Sequence, residues 1–226
     1  MFDIYIIDCK RHFFQNAIKL KKLFSQYFQS TYLLSAVGID DNDKNIINIE
    51  NYEFVNAFNQ VLRMVDKKFS IFVDSSLDIN NMDSILERLN FFKNNFYDTC
   101  GSYGFNVEGL RVKKSYRREV FSKLYQSNNH SLDFFIIEKS ILLDIGLLTC
   151  IPFYEGEGLE YFISWMNYNN KKITLLDENL LFKRLFRLPK KTKREICNKS
   201  MWMFENINNV YDLEKKGFIT FFNQNI

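Results

Sequence analysis

Residues 69–78 read FSIFVDSSLD, an apolar run through Ile71, Phe72 and Val73 that passes directly into Asp74, Ser75, Ser76 and Asp78. A short continuous apolar run is the mark of a strand buried on both faces, as in a parallel sheet covered by helices. In such sheets ligands bind in the crevice beyond the carboxyl ends of the strands, where a rigidly held side chain can reach them. Asp74 and Asp78 are therefore the first site candidates. A plain strand with a solvated turn fits the same residues, because Asp and Ser are ordinary turn formers.

The flanking sequence favours the sheet. The opening FDIYIID is a second apolar run of strand length, and residues 13–28 then place Phe13, Ala17, Leu20, Leu23, Phe24 and Phe28 at helical spacing. STYLLSAVGI reads as the next strand, running into Asp40, Asp41 and Asp43. Residues 51–65 repeat the helical pattern through Phe54, Ala57, Phe58, Val61, Leu62 and Val65. Strand, helix, strand, helix, strand implies a doubly wound sheet, since each crossover helix must cover a sheet face.

Beyond the organising strand, residues 82–92 form another helix with Ile85, Leu86, Leu89 and Phe92 inward. Residues 98–112, broken by Gly101, Gly104 and Gly109, read as strand and loop, and residues 111–118 are basic and of no assigned form. SLDFFII is a strand and EKSILLDIG a short helix ended by Gly146. PFYEGEGLEYFISWMNY sets Glu155, Glu157 and Glu160 at a helix entry, where the helix dipole favours acids whatever their function. KKITLL is a last strand, and residues 189–226 hold helical pieces wrapped on the main domain, which spans 1–188.

With 226 residues, 46% of them apolar and 24 of them Phe, the chain can bury one substantial core. The net charge of +3 gives no reason to invoke nucleic acid, and the basic run at 190–194 suits a solvated helix start. Cys9, Cys100, Cys150 and Cys197 stand far apart, which argues against a zinc knuckle or redox pair and for buried thiols. His12 and His130 are too few for a histidine site, and Trp165 and Trp202 suit a core. No leader opens the chain and no apolar run nears the roughly 20 residues of a membrane span, so a cytoplasmic protein is expected.

The order of these pieces resembles the GT-A fold of nucleotide-sugar-dependent glycosyltransferases, closest to the family 2, rhamnosyltransferase-like group. Four matches carry the resemblance over residues 2–182. INIENYEFVNAFNQVL is similar to a family pattern, with Asn51, Phe54, Ala57 and Asn59 in register and Glu53 where Gly is usual. FSIFVDSSLDI resembles the strand that ends in the Asp/Asn-x-Asp metal motif. DFFIIEKSILLDIGLL looks like the strand, helix and Gly leading to the acceptor side, and FYEGEGLEYFISW is similar to the Glu-Asp-x-Asp helix start that supplies the base.

The resemblance implies an α/β, GT-A-like, mostly parallel central sheet with helices on both faces and a C-terminal helical extension. It implies transfer of a hexosyl or deoxyhexosyl group, with inversion, from a UDP-, GDP- or TDP-sugar to a hydroxyl of a glycan, lipid or protein, in glycan biosynthesis. Asp8, Asp40, Asp41 and Asn59 would hold the base and ribose. Asp74 and Asp78 would hold Mn²⁺ or Mg²⁺ against the diphosphate, or bond the ribose. Arg11, with Lys10, Arg111 and Arg117, would supply cations if no metal binds. Glu157 would be the general base, with Glu155 and Glu160 behind it.

This sequence departs from the pattern at two decisive places. Ser76 stands where the metal motif has its second aspartate, and a hydroxyl is a poor substitute for a carboxylate on a hard cation. Gly158 stands where the general-base Asp is expected. A degenerate GT-A domain that binds nucleotide-sugar or glycan without transfer is thus the alternative. A non-glycosyl nucleotide-binding domain is disfavoured, because no glycine-rich phosphate loop follows an early strand.

Overall fold

The computed structural model describes residues 1–8, 13–37, 43–49, 54–96, 101–107, 124–126, 133–145, 166, 169 and 171–185. In chain order the elements are β1 (Phe2–Asp8), α1 (Phe14–Ser25), β2 (Thr31–Ser35), β3 (Ile46–Asn48), α2 (Phe54–Leu62), β4 (Phe69–Asp74) and β5 (Leu77–Asp78). There follow α3 (Asp83–Phe96), β6 (Gly101–Val107), β7 (Leu124–Gln126), β8 (Phe134–Glu138), α4 (Lys139–Ile145) and β9 (Lys172–Arg184).

The sheet order is β3-β2-β1-β4-β8-β6-β9-β5, with β7 pairing to β9. β1, β2, β3 and β4 are mutually parallel. β8 opposes both β4 and β6, and β9 lies parallel to β6. From β3 to β9 across the sheet, β8 alone runs against the common direction, so the central sheet is mostly parallel.

The pleat sorts side chains into two cores. On one face Ile4, Ile6, Ile71 and Val73 pack with Ala17, Leu20 and Phe24 of α1 and Ile85, Leu89 and Phe92 of α3. On the other, Tyr5, Ile7 and Phe72 pack with Ala57, Phe58 and Val61 of α2 and Ile141, Leu142 and Ile145 of α4. Helices thus cover both faces, which is why β1 and β4 are apolar without alternation. Aromatic rings carry much of the contact. Phe72 and Phe135, opposite each other on β4 and β8, stack at 4.8 Å, and Phe105 and Phe134 at 4.1 Å. Each buried ring contributes roughly 1.5–3 kcal/mol by leaving water.

Several local expectations are corrected. The Ser75–Ser76 turn is not solvated: both serines and Leu77 are buried, and Leu77 and Asp78 form β5 against Arg184 and Lys183 of β9. β3, unread in the sequence, is a three-residue strand on the open edge. β9 extends well past KKITLL, because after Phe105↔Leu176 its register with β6 resumes at Asn106↔Leu181, letting one strand serve β7 with its first half and β5 with its end. The extension over 189–226 lies outside the described residues.

Candidate functional site

The parallel register brings the ends of β1, β2 and β4 to one edge. Asp8 lies opposite Ser35 and Ile7 opposite Asp74, so Ser75 is next beside Asp8. The Ser75 amide confirms that step by donating to the Ile7 carbonyl at 3.0 Å. Asp8, Ser35 and Ser75 are all fully buried. Ser35 Oγ donates to Asp8 Oδ2 at 2.8 Å and Ser75 Oγ to Asp8 Oδ1 at 3.0 Å. Ser35 Oγ in turn accepts from the Val37 amide at 3.1 Å. Asp8 is therefore a clamp beneath the edge, joining three strand ends, and its hydroxyl donors offset the cost of burying a carboxylate.

Asp74 is one pleat step out of phase with Asp8 and so belongs to the opposite face of the edge. It is half-buried. Its amide donates to the Asp133 carbonyl at 2.7 Å, and its Oδ1 accepts from the Ser76 amide at 2.7 Å and from Ser76 Oγ. This side-chain-closed turn is typical of Asp ahead of a reversal. Other segments hold the turn from outside. Asn16 Nδ2 of α1 donates to the carbonyls of Ser75 at 2.6 Å and Leu77 at 2.8 Å, and the Leu185 amide donates to the Ser76 carbonyl at 2.8 Å.

Asp78 is half-buried on β5, opposite the exposed Lys183, and its Oδ1 accepts from Asn80 Nδ2 at 2.6 Å. Beside it, Arg184 is ion-paired with Asp133, their side chains only 11% and 13% exposed. The cation, its acid and the Asp74 turn form one connected unit.

The Mn²⁺ or Mg²⁺ that the fold implies does not fit these residues. Divalent cations of this kind want several oxygen ligands with carboxylates among them. Here Asp74 is closed onto Ser76, Asp78 is bonded to Asn80, and Asp8 is bonded to two serines. Among the described residues, no group of three or more His, Cys, Asp or Glu side chains is placed to hold a metal.

Asn59 is half-buried within α2, about 8 Å along the helix from its first residue at 1.5 Å per step. Arg11, Asp40, Asp41, Glu155, Glu157 and Glu160 lie outside the described residues, as do Lys10, Arg111, Arg117 and Gly158. Sequence reasoning missed Asn16, Ser35, Asp133 and Arg184. A signal existed for Asn16, a polar residue in line with Leu20 and Phe24 on the buried stripe of α1. For Arg184 there was none, since its place depends on a pairing between β5 and β9 more than a hundred positions apart.

No family model matches the chain, and no curated protein matches it by sequence. Solved structures do match, by fold. GalNAc-T7, determined with UDP, GalNAc and Mn²⁺, superposes over 83% of this chain and 44% of its own with a TM-score of 0.55 at 11% identity. The mannosyltransferase PcManGT of Pyrobaculum calidifontis, with GDP-Man and Mn²⁺, covers 83% of this chain and 57% of its own at TM-score 0.51 and 10% identity. TarS 1–349 of S. aureus, with UDP-GlcNAc, covers 84% and 59% at TM-score 0.52 and 15% identity. The chain thus spans between two-fifths and three-fifths of these three proteins, and with its mostly parallel, doubly covered sheet it has the GT-A fold.

Proposed function

We propose that the chain is a glycosyltransferase of the family 2 kind, moving a hexosyl or deoxyhexosyl group with inversion from a nucleotide-diphosphate sugar to a hydroxyl acceptor. One observation carries the reading. At the carboxyl edge of a GT-A sheet, Asp74 stands on a turn fixed from three separate segments by Asn16, Asp133 and Leu185. A rigidly held carboxylate at that edge is where a nucleotide-sugar is met in open α/β sheets. The printed contents of the similar structures, UDP with GalNAc, GDP-Man and UDP-GlcNAc, support a donor of this class.

In this reading Asp74, with Asp40, Asp41 and Asn59, positions base and ribose, while Asp8 serves through Ser35 and Ser75 by keeping the strand ends in place. The acceptor oxygen attacks the anomeric carbon as the bond from that carbon to the diphosphate oxygen breaks. The acceptor proton passes to the Glu157 carboxylate, with Glu155 and Glu160 as its acidic neighbours, and the nucleoside diphosphate leaves. Action in glycan biosynthesis on the cytoplasmic side, on a glycan, lipid or protein acceptor, completes the proposal.

Calorimetry with UDP-, GDP- and TDP-sugars, followed by assay of released nucleoside diphosphate, tests it. Saturable binding with turnover of one donor is expected. Binding without turnover of any donor would convert the reading to a nucleotide-sugar-binding domain, and no binding would end it.

A further inference from the structure

We propose that this site holds the donor diphosphate with the guanidinium of Arg184 and does so without a divalent cation. The inference rests on the glycosyltransferase reading and deepens it. Its first support is the misfit at Asp74. The position that would offer a second carboxylate is Ser76, which is 1% exposed and gives both its amide and its hydroxyl to Asp74 Oδ1. That oxygen is committed to closing the turn, and the described residues place no cluster of acids around it.

The second support is where the chain puts positive charge. Arg184 ends β9 opposite Leu77, directly after Ser76, and the next residue, Leu185, donates its amide to the Ser76 carbonyl at 2.8 Å. The acid that pairs with Arg184 is Asp133, whose own carbonyl accepts the Asp74 amide at 2.7 Å. Arg184 is thus tied to the Asp74–Ser76 turn from both ends of the ion pair. Lys183 beside it is exposed and faces the Asp78 position. The strand that closes the turn therefore ends in a cation, Arg184, at the edge where a metal would otherwise neutralise the leaving group.

The third support is donor capacity. A guanidinium carries five N–H donors in a rigid fork suited to paired phosphate oxygens. Asp133 engages one arm, while Arg184 Nε is a buried donor with no partner among the described residues.

The test is calorimetry of UDP and of GDP with the full chain, in EDTA and in Mn²⁺ or Mg²⁺. The expected affinity agrees within about twofold between the metal and EDTA conditions, and Arg184→Gln weakens it at least about tenfold, the scale of a lost charged bidentate contact. Arg184→Lys keeps the charge but loses the fork and falls between. Asp133→Asn, which keeps the shape and frees the guanidinium, tightens binding and serves as the readout should the Arg184 variants not fold. Binding at least about tenfold tighter with metal would overturn the inference and leave the glycosyltransferase reading standing. Wild-type affinity in a folded Arg184→Gln protein, or weaker binding in Asp133→Asn, would overturn it in the same way. No nucleotide binding under either condition would remove both.

Discussion

The Ser75 hydroxyl reaches from the end of β4 to Asp8 on β1 at 3.0 Å, linking residues 67 positions apart at the edge where the site is built. Ser35 meets the other carboxylate oxygen from β2 at 2.8 Å. With no solvent exposure to draw on, Asp8 depends on such donors to be tolerated inside the protein. Ser75→Ala is predicted to cost about 1–3 kcal/mol, because a buried carboxylate oxygen loses a donor that water cannot replace. Urea denaturation measures it, and a Ser75→Ala, Ser35→Ala double-mutant cycle should show coupling, since both hydroxyls serve one group. Additive, near-zero losses would show that Asp8 does not need them.

Asn16 should matter more than its place on a surface helix suggests. Its amide bonds the carbonyls of Ser75 and Leu77, the residues that flank Ser76 in the turn. Asn16→Ala leaves both carbonyls short and is predicted to destabilise by roughly 1–3 kcal/mol. It should also weaken donor binding, because the turn that carries Asp74 loses its hold on α1. A thermal melt paired with nucleotide calorimetry separates the effects. Lost stability with unchanged affinity would show that Asn16 braces the fold and not the site.

Much of the fold was legible because each strand of the parallel half is an uninterrupted apolar run and each helix repeats its apolar positions at three and four. Ile4 to Ile7 and Ile71 to Val73 have no polar alternation to misread, since both faces are covered. What escaped was set by pairing at a distance. β5 is two residues long and exists through Lys183 and Arg184, and β9 outruns its apolar run because β6 and β5 extend it. The site divides the same way. Asp74 was visible at the end of its own strand, and Asn16 showed as a polar residue on the buried stripe of α1, whereas Asp133 and Arg184 reach the turn from other segments and show nothing locally.

Asp74→Ala is predicted to lose donor-dependent transfer by at least about 100-fold, equivalent to about 2.7 kcal/mol of transition-state stabilisation, while the fold persists. The fold should survive because the Asp74 amide still donates to the Asp133 carbonyl and the Leu185 amide still donates to the Ser76 carbonyl. The side-chain closure onto Ser76 disappears, a loss of about 1 kcal/mol. Circular dichroism and a transfer assay on the same preparation check both halves. Turnover at the wild-type rate would remove this carboxylate from the mechanism.

In the middle of β1, Tyr5 offers a prediction about pH that is independent of the site. It is fully buried, stacked on Tyr32 at 5.5 Å and packed against Phe72 at 5.7 Å. Burial, reinforced by the nearby negative charge of Asp3, raises its phenol above the ordinary value of 10.0. Above that pH the unfolded chain gives up the Tyr5 proton while the folded chain keeps it. The stabilisation present below pH 10 is therefore lost as the pH rises, at up to about 1.4 kcal/mol per pH unit. Asp3 is itself a buried acceptor for the amides of Asp66 and Lys67, at 2.9 and 2.8 Å, which fix its side chain beneath the strand. Urea midpoints between pH 8 and 11 should fall for the wild-type chain and fall less steeply for Tyr5→Phe, which has no proton to lose. Parallel curves for the two proteins would mean that Tyr5 ionises as readily when folded as when unfolded.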